Sequence, residues 1–293
     1  MIHPLIHSLL LPLALGIIMF GLGLSLTVGD FARVLRYPRA VIVGLTVQTV
    51  LLVAVAYGIT QFFALPVALA IGMMLLAASP GGATANIFSH LADGDVALNI
   101  TLTAVNSVLA LFWLPLVLNW SLEHFLGAGQ YIPPPRQKIV EVAVIILLPV
   151  AVGMLVRTYA PRISALAEKP VRIGSVLVLA ALIVVALAGS AEMLAAHIGA
   201  IGLACIAFNV ISMTVGYVVP RMVRLPKRQA TAISMEIGVH NTALAIYVAL
   251  NVLDRDVMAV PAAVYSVVMF ATAGLATWWL RRAANSRSAI EVT

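Results

Sequence analysis

The chain has 293 residues, 62% of them hydrophobic and only 10% charged, with a mean hydropathy of +1.09. A soluble domain of this length needs far more charge on its surface, so the composition excludes one. The net charge of +6 does not point to nucleic acid, because the basic residues lie in short connections between apolar runs. The single cysteine, Cys205, sits inside such a run, which excludes a disulfide framework and a thiolate metal site.

The apolar runs are long enough to cross a bilayer as helices. They predict nine spans: Pro4–Val28, Arg39–Phe63, Pro66–Leu91, Asp95–Phe125, Lys138–Tyr159, Val171–Ser190, Ile198–Val219, Gln229–Asn251 and Val257–Leu280. No basic residue precedes the first run and no small-residue cleavage site follows it, so it reads as a retained helix rather than a signal peptide. The fourth is long enough to require tilt or an end lying along the interface. Alternate connections hold 14 of the 17 Lys and Arg, including Arg33, Arg157, Arg172, Arg221 and Arg281. The opposite side has only Arg136, Lys138 and Arg255. The basic side belongs to the cytoplasm of a multi-pass plasma (inner) membrane protein, with the N-terminus outside and the C-terminus inside.

Two spans are interrupted. The third contains Ser79-Pro80-Gly81-Gly82-Ala83-Thr84-Ala85-Asn86 at its middle, where proline removes a donor and glycine frees the backbone. The eighth contains Glu236-Ile237-Gly238-Val239-His240-Asn241 near its middle. Freed backbone groups cannot face lipid, so both stretches are expected to line an enclosed or wet cavity. For the Pro-Gly break alone, a kink for packing is the alternative. The two spans run in opposite directions, and each leads into an acidic connection: Asp93-Gly94-Asp95-Val96 and Asp254-Arg255-Asp256-Val257. Matched broken helices in inverted halves point to a midplane binding site. The first repeat is expected over 1–128, lacking its opening helix, and the second over 129–293.

Glu236 is the most informative residue, because a charge at mid-span costs about 2.5–3.5 kcal/mol even on permissive scales. It is either protonated and bonded to a neighbouring helix or neutralised by a bound cation. Asn99, Thr103 and Asn106 share one face of the fourth span at i, i+4 and i+7. With Asn86 and Glu236 they make an oxygen-rich set suited to a hard monovalent cation, although each alone is ordinary interhelical glue. Gln48 is a weaker candidate, and packing is the favoured role for Asn209. Glu236 and His240 are four apart, but no HExxH motif accompanies them, so a zinc site is not indicated.

These residues resemble the bile acid:sodium symporter family. The resemblance covers nearly the whole chain, from Gly16 to about Leu280, and its specific parts are Ser79–Leu98 (SPGGATANIFSHLADGDVAL) and Glu236–Ala245 (EIGVHNTALA). It implies an all-α, inverted-repeat transporter in which a core domain (66–125 plus 198–280) holds the crossing broken helices. That core moves against a panel domain (4–63 plus 138–190). It implies symport of an organic anion, either a bile-acid-like steroid conjugate or a small carboxylate, with sodium by alternating access. A first sodium site is implied at Asn86, Asn99, Thr103 and Glu236, with Ala85 standing where the family has a serine. A second is implied at Gln48, Glu236, the carbonyls of Ile237 and Val239, and His240, where the family has a glutamine. Substrate is implied beside Ala83, Thr84 and Asn241. A proton-coupled anion carrier using Glu236 or His240 is the alternative. An intramembrane enzyme lacks support, because neither GxSxG nor HExxH occurs.

Overall fold

The computed structural model describes residues 9–127 and 136–290, so the predicted start of the first span at Pro4 lies outside the described residues. The regular structure described is helical, with one isolated bridge between Gly81 and His240. Helix α1 (Leu11–Ser25) turns by 70° into α2 (Val28–Ala32) and a 3-10 turn, Arg33–Leu35. Leu26 leaves helical geometry at the bend, and a capping box between Thr27 and Asp30 restarts the chain. A continuous span then runs Pro38–Phe62, made of α3 (Pro38–Thr46), a π turn (Val47–Leu51) and α4 (Leu52–Phe62).

The third predicted span is two helices, α5 (Val67–Ala78) and α6 (Ala83–Leu91). Five long helices or helix pairs follow: α7 (Val96–Leu126), α8 (Arg136–Tyr159), α9 (Pro161–Ala188), α10 (Ala191–Met222), and the broken pair α11 (Lys227–Gly238) and α12 (Thr242–Tyr247). A π turn over Val248–Val252 extends α12, and α13 (Asp256–Ile290) ends the described chain. Among the described residues six helices are long and apolar enough to cross a membrane, or seven with the bent α1–α2 pair. The two interrupted segments fall outside that count because each half is short.

Both interrupted segments are entered by the same backbone device. Ala64 (φ 45) and Arg224 (φ 61) take left-handed geometry and close the preceding helices. Leu65 N–H then bonds the Thr60 carbonyl at 3.0 Å, and Leu225 N–H the Pro220 carbonyl at 2.9 Å, the bond pattern of a Schellman cap. Pro66 (φ −51, ψ 144) and Pro226 (φ −55, ψ 149) follow as N-caps. Both segments are left through another left-handed residue, Asp93 (φ 56) and Asp254 (φ 51).

Helix α1 lies against α8 so closely that a Cβ on Gly23 would come to 2.3 Å from the Val150 carbonyl oxygen. The sixth predicted span, Val171–Ser190, corresponds to the C-terminal part of a longer helix, Pro161–Ala188. The stretch carrying Arg162, Glu168 and Lys169 reads as a connection by charge. Pro161 in the first turn starts a helix there, and the Glu168–Arg172 pair at i, i+4 supports it.

Candidate functional site

The two breaks cross each other and satisfy each other's backbone. Gly82 N–H donates to the Val239 carbonyl (2.8 Å), and Asn241 N–H donates to the Pro80 carbonyl (2.7 Å). This two-residue ladder explains how unwound chain survives in an apolar interior, where an unpaired backbone group is costly. The break is shorter than the sequence suggests: Ala83–Asn86 is already helical, and only Ser79–Gly82 is unwound. Gly82 is extended (φ −91, ψ 156), so backbone freedom is not why glycine is needed here. Space is the reason at Gly81, where an added Cβ would meet Glu236 Oε1 at 2.2 Å.

Glu236 is 1% exposed, on the last turn of α11. Thr103 Oγ1 donates to its Oε2 at 2.6 Å and also lies 3.1 Å from the Asn99 carbonyl, while Oε1 has no hydrogen-bond partner among the described residues. Asn99, fully buried on α7, donates through Nδ2 to the Ala232 carbonyl (2.8 Å), leaving its Oδ1 unpartnered. Asn86 lies on α6 with its Oδ1 buried and likewise unpartnered, and no hydrogen bond joins it to Glu236. Ala85 is buried on the same helix. Asn99 and Thr103 on α7 thus both bond to α11, at the Ala232 carbonyl and the Glu236 carboxylate, and Asn106 is buried further along α7.

A second group converges on the Ser79 carbonyl. Gln48 Nε2 donates to it at 3.0 Å and His240 Nδ1 lies 3.1 Å from it. With a carbonyl as partner, Nδ1 carries the hydrogen, which in the neutral ring leaves Nε2 with a lone pair. Gln48 Oε1 and His240 Nε2 are both buried without partners among the described residues. Gln48 sits in the π turn of the second span, a local widening that sequence pattern does not signal. The Val239 carbonyl already accepts from Gly82, leaving one lone pair, and Ile237 is buried beside the break. Asn209, read from sequence as packing glue, donates to the Gly238 carbonyl and to Tyr265 Oη, both at 2.8 Å. Tyr265 itself donates to that same carbonyl at 2.8 Å. Sequence reasoning missed Tyr265, whose only signal is a phenol in the middle of an apolar span.

A cavity of about 320 Å³ opens beside the crossing. Ala83, Thr84 and Asn241 all line it, as do Asn86 and His240. The α6 N-terminus faces it without a side-chain cap. Arg157, Glu168 and Arg172 line it too, although sequence reading assigned the two arginines only to membrane orientation. Among the described residues no three His, Cys, Asp or Glu side chains gather as a metal cluster.

Residues 12–197 match the Sodium Bile acid symporter family. The chain belongs to that family. It is 29% identical over 270 residues to the "Uncharacterized sodium-dependent transporter YocS" of Bacillus subtilis (strain 168), covering 92% of this chain and 82% of that one. It is 29% identical over 276 residues to the "Probable sodium/metabolite cotransporter BASS2, chloroplastic" of Oryza sativa subsp. japonica, covering 93% of this chain and 64% of the relative. The "Sodium-dependent organic anion transporter" of Homo sapiens is 30% identical over 249 residues, covering 83% of this chain and 64% of the human protein. The chain thus spans less than two thirds of the rice and human proteins. The family and these named relatives are transporters, not enzymes.

Proposed function

We propose that this multi-pass membrane protein is a sodium-coupled symporter of an organic anion, working by alternating access. The carrying observation is the Glu236 carboxylate: 1% exposed, held by one neutral hydroxyl, and with Oε1 unpartnered among the described residues. An uncompensated buried carboxylate is strongly disfavoured, so it is either protonated or neutralised by a cation, and the sodium-dependent relatives favour the cation. Asn86 and Asn99 offer unpartnered oxygens, and oxygen ligands suit sodium. The first sodium site is therefore assigned to Asn86, Asn99, Thr103 and Glu236, with a backbone oxygen or water in place of the hydroxyl missing at Ala85. A second is assigned to Gln48, Glu236, the Ile237 and Val239 carbonyls and His240, and it is the weaker of the two.

In this reading the substrate acid lies beside Ala83, Thr84 and Asn241, where the α6 N-terminus places partial positive charge. Sodium orders the crossing that receives it. The paired entry and exit devices of the two interrupted segments support two inverted repeats, 1–128 and 129–293, and nine spans once each broken segment counts as one. The core domain is then 66–125 plus 198–280 and the panel domain 4–63 plus 138–190. The charge partition supports an inner-membrane protein with the N-terminus outside.

Counterflow in proteoliposomes tests the reading. Vesicles preloaded with unlabelled cholate or pyruvate should accumulate the corresponding labelled anion with sodium on both sides and not with choline. Counterflow that is equal in choline and driven by a pH gradient would replace sodium with the proton as coupling ion. No counterflow with either class of anion contradicts the proposal.

A further inference from the structure

One wall of the cavity carries charge that the crossing does not use. Among the described lining residues the formally charged ones are Arg157, Glu168 and Arg172. Helix α9 presents Glu168, Arg172, Ser175 and Leu179 to the cavity, spaced by three or four residues along one helix face. Arg172 donates through Nη2 to Glu168 Oε1, and Arg157 reaches across from α8 to bring Nη1 within 4.0 Å of Glu168 Oε2. One carboxylate therefore serves two guanidinium groups, leaving the cluster with an excess positive charge. One turn further along, the Ser175 hydroxyl is buried and has no hydrogen-bond partner among the described residues.

The ion pairs are easily exchanged. The Arg157 and Glu168 side chains are each 40% exposed and Arg172 is 55% exposed, a setting in which such pairs contribute little. The lining also includes an apolar part, with Ile18, Met19 and Leu22 of α1 and Phe270 of α13. A molecule with an apolar body and an acid group gains burial against that part. Its acid then takes the place of Glu168 on the arginines, whose planar forks match a carboxylate or sulfonate.

We propose that Arg157, Arg172 and Ser175 form a second acid-binding station at the charged mouth of the cavity, distinct from the crossing, and that Glu168 is its built-in competitor. The ligand is the carboxylate or sulfonate of an amphipathic organic anion, so the proposal rests on the symport reading. Glu168 occupies the arginines when no anion is present and speeds the anion's departure when one is.

The sign of the Glu168 effect separates this from a structural salt bridge. The full chain in nanodiscs is titrated with the sodium salts of pyruvate, cholate and taurocholate at constant total sodium, and apparent Kd is read from thermal unfolding. Glu168→Gln should tighten binding by roughly three- to tenfold, while Arg157→Gln and Arg172→Gln should weaken it by a similar factor. Arg172→Lys should fall between, keeping the charge but losing the fork. The sodium response without anion should be unchanged in all four variants. A structural role for the pairs predicts instead that removing any partner weakens binding together. Weaker binding in Glu168→Gln, or arginine variants within about twofold of wild type, overturns the station and leaves symport standing. Failure of all three anions to bind a wild type that still responds to sodium overturns both.

Discussion

Gly81 lies against the carboxylate of Glu236, so close that a Cβ at position 81 would fall 2.2 Å from Oε1 and 2.8 Å from the Glu236 backbone oxygen. The glycine on one broken segment thus makes room for the acid on the other.

Gly81→Ala should therefore displace the carboxylate. The expected cost is about 1–3 kcal/mol of stability from overpacking, together with loss of most of the sodium response. Gly82→Ala is the comparison, because its Cβ would meet the His240 carbonyl oxygen at a more tolerant 3.2 Å. Thermal unfolding with sodium or choline chloride reads both. An unchanged sodium response in Gly81→Ala would show that the acid is not where the ion binds.

Thr103→Val keeps the shape of the side chain and removes the hydroxyl that donates to Glu236 Oε2. Hydrogen bonds to charged groups contribute about 1.5–3 kcal/mol, so sodium affinity should fall by roughly tenfold or more. Asn99→Ala should also weaken it, by removing the unpartnered Oδ1, although its loss of the bond to Ala232 will lower stability as well. Sodium titrations followed by unfolding temperature separate the two effects.

Tyr265 and Asn209 both donate to the Gly238 carbonyl, and Asn209 also donates to the Tyr265 oxygen. Tyr265→Phe should cost about 1 kcal/mol or slightly more, because one donor remains on that carbonyl. Asn209→Ala combined with Tyr265→Phe leaves it bare, and the double variant should lose more than the sum of the singles. Strict additivity in the double-mutant cycle would argue against a shared network.

The resemblance implies a glutamine at the position of His240, whose Nδ1 is held by the Ser79 carbonyl at 3.1 Å. An imidazole nitrogen is a poor ligand for a hard cation, so wild-type uptake should depend on sodium with a Hill coefficient of about one. His240→Gln should steepen that dependence. A wild-type coefficient near two, unchanged by the substitution, would remove His240 from the account.

Much of this arrangement was legible in the sequence, because chemistry that is out of place in an apolar span is conspicuous. Ser79-Pro80-Gly81-Gly82 and Glu236 stand out against their surroundings, and the spacing of Asn99 and Thr103 correctly placed them on one face. Oxygen chemistry and the resemblance grouped Thr103 with Glu236, but the direct hydrogen bond between them was not legible, because it joins residues 133 apart through the packing of α7 on α11. The reason for Gly81 was also hidden, since a glycine needed for space and one needed for flexibility look the same in a sequence. The π turn at Gln48 leaves no pattern, because one extra residue in a helical turn does not disturb an apolar run. Arg157 and Arg172 were masked by their own charge. Near a span end an arginine reads as an orientation signal, and the N-terminal extension of α9 over 161–170 is what sets Glu168 one turn before Arg172 on the cavity wall.

The most direct test of the central claim is thermal unfolding of wild type and Glu236→Gln in sodium, potassium and choline chloride at equal ionic strength. Binding to the native state stabilises by mass action, by about 2.7 kcal/mol at one hundred times Kd. Wild type should be stabilised by sodium and not by potassium or choline. Glu236→Gln should fold, keep the Thr103 contact through its amide oxygen, and show no response to sodium. A Glu236→Gln protein with the full wild-type sodium response, or a wild type that does not distinguish sodium from potassium, would contradict the account.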